Sequence, residues 1–201
     1  MNNLIETICL VDGNVQRLNY HLMRMMRSIG KSCDLPDLDT LCPKHLRKGR
    51  TKCRVQYNMD GINEIQFSSY SPKQITSLKI VEVADSFDYH LKYADRSNLN
   101  NLTFSLSPNQ DVIIIKNGYV TDASYANLIF QKGDKLYTSD TPLLHGTARQ
   151  YLLDKGTIEE CKITEDMIMS FDKVSLINAM LYPNEVSIQI NSQNIIGSSK
   201  E

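Results

Sequence analysis

Ile5, Thr7, Cys9 and Val11 alternate with their neighbours and run into Asp12-Gly13, the pattern of a strand entering a tight turn. Leu18, Leu22, Met25, Met26 and Ile29 then recur at helical spacing, and Gly30 supplies a helix stop. A shorter, less regular helix is expected through Leu38, Leu41 and His45 to Gly49. Two alternating segments, Thr51–Tyr57 and Ile62–Tyr70, flank Asp60-Gly61 and predict a hairpin, and Ser77–Val83 predicts a further strand.

Residues 84–108 are polar, with Asp85, Asp88, Asp95, Arg96 and a run of Asn and Ser, and read as an ordered connector holding about two helical turns. Beyond it the pattern is mostly β. Val112–Ile115, a turn at Asn117-Gly118, Tyr119–Thr121, Asn127–Phe130, a turn at Gly133-Asp134 and Leu136–Thr138 follow in order. A helix is expected from Ala148 to Leu153, later strands at Val174–Ile177 and Ser187–Ile190, and a fraying polar tail from Ser192. The change of character near residues 83–88 divides the chain into a small α+β domain, 1–84, and a larger β-rich domain, 85–201.

Composition narrows the function classes. The 201 residues carry 22 Lys and Arg against 23 Asp and Glu, a formal net charge of -1, which argues against general affinity for nucleic acid or acidic membranes. No apolar run approaches the roughly 20 residues that cross a bilayer. Five scattered cysteines suit a reducing cytoplasm and no disulfide framework, and neither they nor the four histidines show metal-ligand spacing.

Four segments carry unusual combinations of residues. Lys92 lies in Tyr89-His90-Leu91-Lys92-Tyr93, where partial desolvation would make its amine nucleophilic, although a lone lysine in a connector is more often a solvated surface residue. Asp122, in Thr121-Asp122-Ala123-Ser124, places a carboxylate at a strand end where it can meet a cationic ring nitrogen; Asp and Ser there also serve as simple turn formers. Gly146-Thr147-Ala148-Arg149 reads as the N-terminus of a helix, able to bind an anion or merely capped. Asn178-Ala179-Met180 ends a strand and offers N–H groups and an amide. An amine for a Schiff base, a carboxylate for a pyridinium and two polar ends for a phosphate are together what pyridoxal phosphate (PLP) requires.

In order along the chain, Glu6-Thr7-Ile8, Asp12-Gly13, His21-Leu22-x-Arg24, Lys92, Arg96, Thr121-Asp122-x-Ser124-x-x-Asn127, Thr141-Pro142, Gly146-Thr147-x-Arg149 and Asn178-Ala179-Met180 resemble the class IV aminotransferases. This is the fold-type-IV PLP family of branched-chain aminotransferase, D-amino-acid aminotransferase and 4-amino-4-deoxychorismate lyase. The segment Gly118-Tyr119-Val120-Thr121-Asp122 and Asn178-Ala179-Met180 look most like the lyases.

The resemblance implies an α+β, two-domain fold of the D-amino-acid aminotransferase type, with the cofactor in the cleft between domains and a homodimer whose partner lends a loop to the substrate site. It implies that Lys92 carries PLP, that Asp122 pairs with the pyridine nitrogen and that Leu144 packs on the ring. Arg24, Thr147, Ala148, Asn178 and Ala179 would then hold the phosphate. Relatives generally have glutamate at the position of Asp122, and they begin with an extra strand, so an N-terminally shortened version is expected. Ile5 stands where D-amino-acid aminotransferases carry a substrate-facing tyrosine, and Ile5, Thr7 and Arg54 are the substrate candidates, with Arg54 the available cation if it does not point to solvent.

The expected activity is a cytoplasmic PLP-dependent lyase converting 4-amino-4-deoxychorismate to 4-aminobenzoate and pyruvate, a step toward folate. The alternative is transamination of D- or branched-chain amino acids. A cofactor-binding but catalytically idle dimer is a third reading. No metal, nucleic acid or membrane partner is expected.

Overall fold

A computed structural model of the chain describes residues 3–197. Contacts divide it into two units: one takes the chain up to Ser71 together with Leu91–Asp95, the other takes Pro72–His90 and the chain from Arg96 onward.

In the first unit, β1 (Leu4–Val11) turns at Asp12-Gly13 into the short β2 (Asn14–Val15), and α1 (Leu18–Ile29) follows. Both turn residues have positive φ, 48° and 82°, as a tight primed turn demands. After α2 (Leu38–Leu41), β3 (Arg50–Asn58) and β4 (Gly61–Ser69) form the hairpin, completing an antiparallel sheet of order β2-β1-β3-β4. Leu4, Ile8 and Leu10 on one face of β1, with Cys53, Val55 and Tyr57 of β3, pack with Met25 and Ile29 of α1 into the core of this unit. The expected helix to Gly49 stops early. Asp37 caps α2, but Pro43 has no N–H to continue it, and only a 3₁₀ turn at Lys44–Leu46 remains.

In the second unit, β5 (Ser77–Val83), α3 (Ser97–Thr103), β6 (Gln110–Lys116) and β7 (Tyr119–Val120) are followed by β8 (Asn127–Lys132), β9 (Lys135–Ser139) and α4 (Thr147–Asp154). The chain ends with β10 (Glu159–Cys161), β11 (Lys173–Ile177), β12 (Ser187–Gln189) and β13 (Ile195–Ile196). Two sheets result, of orders β13-β5-β6-β7 and β10-β9-β8-β11-β12. β6 lies parallel to β5, and its Val112–Ile115 run is buried on both faces, as a continuous apolar strand should be.

Two expectations change. The division after residue 84 and the observed division differ because β5 pairs along its whole length with β6, which binds it to the second unit, while the connector returns Leu91–Asp95, and with it Lys92, to the first. The tail from Ser192 does not fray up to Gly197. The Leu78 amide donates to the Asn194 carbonyl at 2.8 Å, and Ile195 is buried as β13 against β5. Its two-residue length hid it from any alternation pattern. Truncating Ile195 to Ala is expected to lower stability by about 2 kcal/mol in equilibrium urea unfolding; a loss under about 0.5 kcal/mol would show that β13 is not part of the cooperative fold.

Candidate active site

Asp122 sits at a seam between the two sheets of the second unit. Its carbonyl accepts the Ile114 amide of β6 at 2.9 Å, and it bridges to Asn127, the first residue of β8. Its side chain is buried, and both carboxylate oxygens have donors: Asn127 Nδ2 to Oδ1 at 2.6 Å and the Leu144 amide to Oδ2 at 2.9 Å. The loop between them is braced. Asp111 accepts the Ser124 amide and hydroxyl at 3.0 and 2.9 Å, and Arg96 Nη2 donates to the Ser124 carbonyl at 2.8 Å. Burial raises the Asp122 carboxyl from 3.8 to about 6, against the opposing pull of the Leu144 and Asn127 hydrogen bonds and the Arg149 charge.

Three residues beyond Leu144, α4 begins at Thr147 with Gly146 as N-cap and no side-chain cap. The Thr147 hydroxyl is buried and has no hydrogen-bond partner among the described residues. A buried hydroxyl left unsatisfied costs about 1–3 kcal/mol. Beside an uncapped helix N-terminus it suits a bound anion, which would accept from both. Arg149, 1% exposed, anchors the start of α4: its Nη2 donates to the Ser139 carbonyl at 2.7 Å and pairs with Glu160 at 2.5 Å. The Asn178 side chain braces its own turn: its Oδ1 accepts from the Met180 and Leu181 amides at 2.8 and 3.1 Å and its Nδ2 donates to the Tyr125 carbonyl at 3.2 Å.

In the first unit, residues 91–95 extend the sheet edge at the start of β1. The Ile5 amide donates to the Lys92 carbonyl at 2.9 Å, the Ala94 amide to Asn3 at 2.8 Å, and Leu4 bridges Tyr93 antiparallel. Leu91 and Tyr93 pack on the core, so alternation turns the half-buried Lys92 to the opposite face, which it shares with its neighbour Ile5. Thr7 is on that face too, and its cross-strand partner is Arg54, whose Nη1 donates to Gln56 at 3.2 Å. The four candidates Lys92, Ile5, Thr7 and Arg54 therefore occupy one sheet face.

Arg24 belongs to the other, helix-covered face. Glu6, fully buried there, accepts from Arg24 Nε at 2.8 Å and Nη2 at 2.5 Å and from His21 Nδ1 at 2.6 Å. Burial pushes Glu6 up, but the Arg24 charge and the Arg24 and His21 hydrogen bonds outweigh it and hold the carboxyl at about 2. Burial pushes the His21 pKa down, against the opposing pull of the Glu6 hydrogen bond and charge. Glu6, His21, Asn127 and Arg149 were visible in the sequence only as motif letters; a charge in the middle of an alternating strand, as at Glu6, was the available signal.

The two buried carboxyls impose opposite pH slopes. Asp122, raised, binds its proton more tightly folded than unfolded, so its contribution falls as pH rises from 3.8 to about 6, by on the order of 3 kcal/mol. Glu6, lowered, contributes stability above 4.5 that is lost as pH falls toward 2. Thermal melts of the unliganded protein between pH 3 and 7 should lose the upper slope in Asp122→Asn and the acid limb in Glu6→Gln; unchanged profiles would contradict these assignments.

The chain matches the family model Amino-transferase class IV over residues 3–183. It is 41% identical over 188 residues to an uncharacterized protein of Haemophilus influenzae, covering 90% of this chain and 98% of that one. A crystal structure of a proposed 4-amino-4-deoxychorismate lyase from Haemophilus somnus is similar at 33% identity and a TM-score of 0.79, covering 90% of this chain and 97% of that one. A hypothetical aminotransferase from Mycobacterium tuberculosis, solved in its PLP-bound form, shares the fold at 15% identity and a TM-score of 0.70, covering 98% of this chain and 82% of that one. With its α+β architecture, the chain belongs to the class IV aminotransferases, a family of PLP enzymes.

Proposed function

We propose that this enzyme is a PLP-dependent lyase that converts 4-amino-4-deoxychorismate to 4-aminobenzoate and pyruvate. The observation that carries the cofactor assignment is the pairing, within one unit, of the buried Asp122 carboxylate with the uncapped α4 N-terminus and its unpartnered Thr147 hydroxyl. A protonated ring nitrogen suits the first and a phosphate the second. The choice of the lyase reaction is supported by the 33% identity to the Haemophilus somnus protein over nearly its whole length.

When bound, PLP supplies an aldehyde for the substrate amine and an electron sink for the carbon beside it. Lys92 would hold the cofactor through its Nζ. Its Nζ, when free, would be the general base that takes the proton from the amine-bearing ring carbon of the substrate. The enolpyruvyl C–O bond breaks at the neighbouring carbon, the proton passes to the departing enolpyruvate, and the ring becomes aromatic. Asp122 would hold a proton on the ring nitrogen, and the Asn127 and Leu144 donors would favour its ionised form beside that positive charge. Thr147 and the Ala148 amide would bind the phosphate, with Arg24 and the Asn178-Ala179 turn contributing to its hold and Leu144 lining the ring. Glu6 fixes the Arg24 fork in one orientation. Arg54, on the Lys92 face, receives a substrate carboxylate, with Ile5 and Thr7 as neighbours on that face.

Purified protein supplied with PLP should release pyruvate and 4-aminobenzoate from aminodeoxychorismate, and Lys92→Ala should abolish this along with borohydride-trapped cofactor on a peptide containing residue 92. Lyase activity retained in that variant overturns the assignment of Lys92. Keto-acid formation from amino acids with 2-oxoglutarate, without pyruvate release from aminodeoxychorismate, makes the enzyme a transaminase. Protein that takes up PLP and is inert to both substrate sets is an idle binder. Arg54→Gln should raise KM about ten- to a hundredfold with PLP affinity unchanged; an unaltered KM removes Arg54 from the substrate site.

A further inference from the structure

Asn127 is held between Asp122, which the proposed function sets at the ring nitrogen, and Leu144, in the loop that leads to the helix start proposed to hold the phosphate. One of its Nδ2 protons goes to Asp122 Oδ1 at 2.6 Å and the other to the Leu144 carbonyl at 2.9 Å. Leu144 closes the circuit through its own amide, which donates to Asp122 Oδ2 at 2.9 Å. Both partners of the amide nitrogen are acceptors, so the reversed orientation would set two oxygens against Oδ1; the orientation is fixed by chemistry. Oδ1 is thereby directed at Gly146, where a Cβ built on the backbone would lie 1.9 Å from it. Gly146 has φ -68°, an angle open to any residue. What excludes a side chain at this position is the space taken by the Asn127 amide, and Gly146 is also the N-cap of the helix that begins at Thr147.

We propose that Asn127 is a positioning residue that ties the Asp122 carboxylate to the loop leading into α4, with Gly146 kept bare to admit its amide. The consequence is mechanical. The Asp122 carboxylate and the N-terminus of α4 cannot shift independently without breaking a hydrogen bond to a buried ionised group. The partners of the ring nitrogen and of the phosphate are thus set at one spacing before any ligand arrives. This rests on the PLP reading of the site and adds to it a device that enforces the cofactor's length.

Three variants test the linkage: Asn127→Ala, Gly146→Ala and the two combined. Asn127→Ala should weaken PLP binding, followed by fluorescence quenching, by about ten- to a hundredfold. It should also move upward the pH midpoint of the acid limb of the bound cofactor's visible absorbance, because Asp122 loses a donor to its charged form. Partial unfolding would change the amplitude of that limb and leave its midpoint alone. Gly146→Ala should reproduce both effects by displacing the amide. In the Asn127→Ala background, adding Ala at 146 should cost less than about a further twofold, and the melting temperatures of the unliganded proteins should be non-additive in the same way. Additive losses overturn the steric link between positions 127 and 146. Wild-type PLP binding together with an unchanged affinity and midpoint in Asn127→Ala overturns the positioning role alone. Failure of the unsubstituted protein to take up PLP overturns the cofactor reading, and a non-additive melting cycle would then leave the Asn127–Gly146 contact standing as a structural one.

Discussion

A carboxylate withdrawn from water has to be met by donors, and the burial of Asp122 governs the layout of the second unit. Its backbone carbonyl is committed to β6 and its two side-chain oxygens to Asn127 and Leu144, so one residue joins a sheet, a second sheet and the loop that starts α4. An unpaired carboxylate at this depth would neutralise itself; with these donors and the Arg149 charge its pKa is about 6, close enough to neutrality for a neighbouring cation to decide its charge. The loop at Ser124 is braced in turn by Asp111 and Arg96, which leaves Asp122 little freedom to turn away.

The first unit solves a similar problem differently. Glu6 is surrounded by a bidentate arginine and a histidine, an arrangement that favours its ionisation strongly and fixes Arg24 at the same time. Across the sheet, Lys92 is oriented by its neighbours: Leu91 and Tyr93 are drawn to the core, and strand alternation sends the residue between them the other way. The backbone bonds of residues 91–95 to β1 make this orientation independent of any partner for the lysine amine. A connector read as polar in sequence thus pairs with the sheet edge at residues 91–95.

Much of the fold is legible in the chain. The Asp12-Gly13 and Asn117-Gly118 turns, the α1 stripe and the β3–β4 hairpin follow from local periodicity and from positive φ at turn positions, quantities that neighbours in sequence fix. Of the shortest elements, β7 is legible from the Asn117-Gly118 turn before it and β12 from the alternation of residues 187–190, whereas β10 and β13 have neither signal and β2 has a turn but no strand pattern after it; these three depend on the partner strands they pair with. The same limit applies to the boundary between units, which depends on which strand β5 pairs with.

For the candidate residues, the sequence alone determined types in a family order: an amine at 92, a carboxylate at 122, a helix start at 147. Tertiary structure decided what each one faces. It put Arg54 on the same sheet face as Lys92, turned the Asn178 amide inward as a cap, buried Glu6 under Arg24 and His21, and set Asn127 against Gly146. Composition and spacing act along the chain and can specify chemistry and local conformation; cross-strand register, burial and the pairing of polar groups act between segments far apart in sequence, and they come into being only when the sheets close.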